Sequence, residues 1–191
     1  MMNIFFNLEL LILDFFTAFG FYSFLFLIVS IFIKKTTFYS FDNQAKKFIT
    51  FVGVLYIIFW FLGTIVYYIE CNPEEKNEMV DRMFGKYWFS IWIQPLFWFF
   101  LSQIFRIKIF SKNILIRIIA SFFLIISIER LVIIISSFHR DYLPSSWTMY
   151  RQLDIYPSNF ILSILLKIFI FMLFVGLYTY ISNKIHQLRN K

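Results

Sequence analysis

Five polar side chains interrupt long apolar runs in this sequence: Asp14, Gln94, Glu129, Arg130 and Lys167. A charged residue at the middle of a membrane helix costs about 2.5–3.5 kcal/mol, whereas each Leu, Ile or Phe returns about 0.3–0.6 kcal/mol. Such groups survive in hydrocarbon only where they pair, reach water or meet a partner. Three kinds of chemistry follow from their types: an ion pair such as Glu129 with Lys167 fixing helix register, a proton or ion half-channel entered from one side, and contact with the helices of a partner. A further group, His139, Arg140 and Asp141, follows one of the runs at its end.

The elements that must hold these groups follow from composition. Of 191 residues, 60% are hydrophobic, 24% aromatic and 15% charged, with 29 Phe, and the mean hydropathy is +0.74. Soluble domains carry about 25% charged residues, so lipid is the main solvent here and the soluble enzyme classes drop out. Crossing about 30 Å of hydrocarbon takes roughly 20 apolar residues. Five stretches qualify: 10–33, 48–69, 87–105, 114–138 and 160–182. Each is apolar all round rather than alternating, which makes them helices and not barrel strands. The expected fold is an all-α integral membrane helical bundle of five transmembrane helices, one unit over residues 1–191. No internal repeat, linker or separate soluble domain interrupts it. The first stretch has no Lys or Arg ahead of it and carries Asp14, so it reads as a retained helix rather than a signal peptide. Pro95 in the third stretch frees the carbonyl of Ile91 and kinks that helix.

The net charge of +7 reads as a loop asymmetry rather than as nucleic-acid binding. Lys34, Lys35, Lys46, Lys47, Arg106, Lys108, Lys112, Lys184, Arg189 and Lys191 give ten cations on one side; Lys76, Arg82, Lys86, Arg140 and Arg151 give five on the other. The excess of cations marks the cytoplasmic face, placing the N-terminus outside and the C-terminus in the cytoplasm. Trp88, Trp92, Trp98 and Trp147, near span ends, read as interfacial belts. Cys71 is the single cysteine, and His139 and His186 lie outside the apolar runs, so no metal site, iron–sulfur cluster or haem is expected on this chain alone.

Depth then groups the polar residues. At 1.5 Å per residue, Glu129 lies roughly 13 Å below the outer end of its span, and Lys167 roughly 10–13 Å below the outer end of the next. Asp14 and Gln94 also fall in the outer halves of their spans, so all five are expected in one layer opening outward. On a helical wheel Glu129, Arg130, Ser136 and Ser137 share one face, as do Ser163, Lys167 and Tyr178.

The run from Glu129-Arg130 through His139-Arg140-Asp141 to Leu143-Pro144-Ser145-Ser146-Trp147 resembles the motif of the polysulfide-reductase-type (NrfD-like) membrane subunits of alternative complex III, a quinol-oxidising, cytochrome-reducing respiratory assembly. Arg82, Phe84-Gly85, Tyr87-Trp88 and Gln103 resemble the segment preceding that motif, with Lys86 where the family has Pro. The likeness is specific over residues 56–147. It covers only the second helix bundle of a family about twice as long, so no quinol site is carried over. The resemblance implies that Glu129, Arg130, His139, Arg140 and Asp141 belong to a polar, proton-conducting region, with no catalytic residue and no redox centre on this chain. It also implies a multi-pass protein of the bacterial inner membrane. Other membrane subunits, an iron–sulfur protein and multihaem cytochromes would be its partners, with quinol bound at a partner. The alternative is a non-catalytic membrane scaffold or assembly protein that keeps the bundle without the chemistry. His-Arg-Asp also opens a kinase catalytic loop, but no glycine-rich loop or strand lysine accompanies it here.

Overall fold

A computed structural model describes residues 2–86, 88–128, 131 and 155–189. All regular structure among these residues is helical: α1 (Met2–Phe32), α2 (Thr36–Glu70), α3 (Pro73–Phe84), α4 (Phe89–Ile104), α5 (Lys108–Lys112), α6 (Ile114–Ile125) and α7 (Phe160–Arg189). Three helices are long and apolar enough to cross a bilayer, over Asn7–Phe32, Thr36–Glu70 and Phe160–Leu188. The chain is therefore a multi-pass helical membrane protein. The apolar helices α4 and α6 are shorter, at 16 and 12 residues.

α1 sits at the centre, packed against α2, α6 and α7, while α2 also packs against α4 and α7. The core is largely aromatic, as the Phe-rich composition requires. Phe15, Phe48 and Phe171 bring α1, α2 and α7 together, with ring centroids 5.6–6.4 Å apart. Phe16, Tyr56 and Trp98 do the same for α1, α2 and α4. Rings at these separations prefer edge-on and tilted contacts, which fixes helix rotation as well as distance.

Two glycines set the closest approaches. A Cβ on Gly53 of α2 would meet the Ser102 hydroxyl and Cβ of α4. At Gly20 of α1 a Cβ would lie 2.8 Å from the Ser121 carbonyl oxygen of α6 and closer still to Ile125 Cγ1. Backbone cannot swing aside as a side chain can, so Gly20→Ala must push α1 off α6. The expected cost is about 1–3 kcal/mol, read as a lowered midpoint of unfolding in detergent.

The structure moves several boundaries. α2 starts at Thr36, so Lys46 and Lys47, expected in the loop before the second span, lie on the helix. The connection 70–86 contains α3, an exposed amphipathic helix; Pro73 opens its first turn and Glu75 accepts the Asn72 N–H at 3.0 Å. The fourth span, expected as one helix over 114–138, is broken: α6 ends at Ile125, Ile126 is extended (φ −109°, ψ 119°), and helical backbone resumes at Ile128. α4 stays helical through Pro95.

Candidate functional site

Polar residues in the described interior are spread over several places rather than one, and three of them involve the intramembrane charges or the helix break; a fourth, Thr50 with Ser102 and Gln103, joins α2 to α4. The first joins α1 to α7. Lys167 Nζ sits 2.6 Å from Asp14 Oδ1, with side-chain exposures of 9% and 12%. The amine also lies over the Tyr156 ring, 4.7 Å from its centroid. Burial first, then the Asp14 charge and hydrogen bonding to Asp14, push the Tyr156 phenol above its ordinary pKa, so it stays protonated. Asp14 Oδ2 is buried without a hydrogen-bond partner among the described residues. The sequence reading set Lys167 against Glu129 as an example; the structure gives it Asp14. Ser163, one turn before Lys167, is buried on the same side of α7.

The second place is the break after α6. Chain leaving a helix in hydrocarbon exposes carbonyls at one end and N–H groups at the next, and each needs a partner from protein. α4 supplies them from side chains one turn apart. Trp98 Nε1 donates to the Phe123 carbonyl at 3.0 Å, and Gln94 Oε1 accepts the Ile128 N–H at 2.8 Å. Gln94, expected in the charged layer, instead ties backbone. Trp98, expected in an interfacial belt, points inward between Phe16 and Tyr56. Gln94→Leu keeps the volume and removes the acceptor. It should release the Ile128 amide to faster hydrogen exchange and cost about 1–3 kcal/mol; unchanged protection at Ile128 would show that the break is held by something else.

The third place, at the cation-rich end, had no counterpart in the sequence reading. Asp42 of α2 is 2% exposed and Arg117 of α6 is 3% exposed. The guanidinium grips the carboxylate with both arms, Nη1 to Oδ2 at 2.9 Å and Nη2 to Oδ1 at 2.6 Å. This two-armed geometry is the strongest form of such a pair. Lys46, one turn along α2, places Nζ 2.9 Å from Asp42 Oδ2 and donates to the Ser111 carbonyl of α5 at 3.3 Å. Arg117 further donates to Ser23 Oγ at 3.4 Å and lies 4.5 Å from the Phe26 ring centroid, and the Tyr22 hydroxyl donates to Asp42 at 3.5 Å. One carboxylate thus joins α1, α2, α5 and α6, with two cations spent on it. Arg117 was legible in principle, since it interrupts the fourth apolar run as Asp14 interrupts the first.

Glu129, Arg130, His139, Arg140 and Asp141 lie outside the described residues. Chemically, the described arrangement can hold helices in register at two levels and close a helix break between them. No family model, curated protein or solved structure matches the chain.

Proposed function

We propose that the chain is an NrfD-like membrane subunit of a respiratory quinol-oxidising complex in the bacterial inner membrane. In this reading it crosses five times, with its N-terminus outside and C-terminus in the cytoplasm, and contributes helices and a polar region to a complex whose iron–sulfur clusters and haems sit in partner subunits. The observation that carries it is the run from Glu129-Arg130 through His139-Arg140-Asp141 to the Leu-Pro-Ser-Ser-Trp loop. The helix break just before Glu129, stapled from α4, supports it, because irregular backbone at membrane depth is characteristic of protein-lined polar sites.

Purification from the native membrane under mild detergent tests the reading. Recovery with an iron–sulfur protein and multihaem cytochromes is expected; recovery alone or with unrelated proteins would overturn it. Glu129→Gln should then lower proton translocation coupled to quinol oxidation, while leaving assembly intact.

A second reading, a non-catalytic scaffold or assembly protein, is favoured by one observation. Asp14 is matched by Lys167, and Asp42 by Arg117 and Lys46, all within the chain, as ion pairs that only hold helices together would be. Unchanged coupling in Glu129→Gln with reduced stability alone would favour it.

A further inference from the structure

We infer that the segment through α5, with the first turns of α2, forms a retention site for anionic phospholipid at the cation-rich end of the bundle. The starting point is a charge segregation stronger than the count of Lys and Arg conveys. Across residues 33–47, 105–117 and 183–191 the sole acid is Asp42. That acid is buried and already held by Arg117 and Lys46. The surface at this end therefore presents Lys34, Lys35, Lys47, Arg106, Lys108 and Lys184, all exposed, and no carboxylate from those segments to neutralise them.

The apolar pattern says where these cations sit. After α4 the chain alternates cation and large apolar side chain over Arg106, Ile107, Lys108 and Ile109, and Ile107, Ile109 and the first residues of α6, Ile114 and Leu115, are exposed, Ile109 by 79%. A loop in water would not present such a row. A segment at the boundary of headgroups and acyl chains would, with the aliphatic groups in hydrocarbon and the cations reaching up to phosphates. Lys46 fixes this segment to the fold, since its amine bridges the buried Asp42 and the Ser111 carbonyl of α5. The buried node thus holds an interfacial strap in place, and the acid-free cations around it select lipid of net negative charge over zwitterionic lipid. The inference needs only membrane embedding and is independent of the respiratory reading.

The test uses the whole protein in nanodiscs of phosphatidylcholine with one quarter phosphatidylglycerol, followed by detergent extraction and mass spectrometry of the lipid that remains bound. Phosphatidylglycerol should be retained several-fold above its share. The triple variant Lys47→Gln/Arg106→Gln/Lys108→Gln, which changes only exposed side chains, should lose that enrichment, the preference for phosphatidylglycerol over phosphatidylcholine as a ratio of affinities falling about fivefold for each cation that contacts a headgroup. Neutralising the half-buried Lys76 and the exposed Arg82 of α3 should leave it unchanged. If the triple variant does not fold, raising salt on the parent protein reads the same term, and the enrichment should fall as the cations are screened. Retention in proportion to bulk lipid, or enrichment indifferent to both the triple variant and salt, would overturn the inference.

Discussion

Replacing Asp42 with Ala should destabilise the bundle more than any other single change at its cation-rich end, by about 3–5 kcal/mol. The reason lies in what remains. Arg117 and Lys46 both point at the Asp42 carboxylate; without it, a guanidinium with 4% side-chain exposure is left facing an apolar environment and another cation. Arg117→Met should cost less, because Asp42 keeps Lys46. The double variant Asp42→Leu/Arg117→Met should recover much of the loss, since it removes both buried charges and fills their space with apolar volume. Lys46 remains in that variant, but its amine keeps the Ser111 carbonyl and its stem allows the head to reach the interface. Unfolding by SDS or heat in detergent micelles gives the three values. The expected order is Asp42→Ala worst, Arg117→Met intermediate and the double mildest. A cost for Asp42→Ala no larger than that for the exposed Lys47→Ala would show that the node does not stabilise the fold.

That node also shows where sequence reading stops. The apolar runs make an all-helical membrane chain legible without coordinates, and Asp14 and Lys167 stand out because hydrocarbon tolerates so few such residues. The start of α2 was not legible in the same way. Residues 36–47 are polar enough to read as loop, and they become helix because Phe38, Phe41 and Ala45 pack inward while Asp42 finds a partner 75 residues away. A partner that distant leaves no local signature. The break after Ile125 is harder still, for neither Pro nor Gly marks it. The side chains that make it tolerable, Gln94 and Trp98, belong to another helix and were read by composition as a charge-layer member and a belt residue. The Asp14 to Lys167 contact falls between these cases. The sequence reading put both residues in one layer but matched the depth of Lys167 to Glu129, and the choice of partner depended on which helices are neighbours: α1 packs directly on α7.

For the Asp14 and Lys167 pair the expected result is strong coupling. Lys167→Met leaves the Asp14 carboxylate without its cation, and Asp14→Leu leaves the amine, among the described residues, with the Tyr156 ring alone. Each single change should cost about 3–5 kcal/mol, as broken buried pairs do. The double variant Asp14→Leu/Lys167→Met should cost far less than the sum, because the charges leave together and apolar side chains suit both the lipid and the adjacent Phe15 and Phe171. Exchanging the charges, Asp14→Lys with Lys167→Asp, should restore more stability than either reversed residue alone, although the longer amine would then project from α1. A double-mutant cycle on unfolding measures the interaction directly, and a coupling near zero would show that the 2.6 Å contact contributes nothing net. The same variants separate structure from transport. A pair that only sets register leaves proton translocation intact in the apolar double variant once the fold is restored. A pair that relays protons loses translocation in that variant, whatever its stability, because neither Leu nor Met can carry a proton.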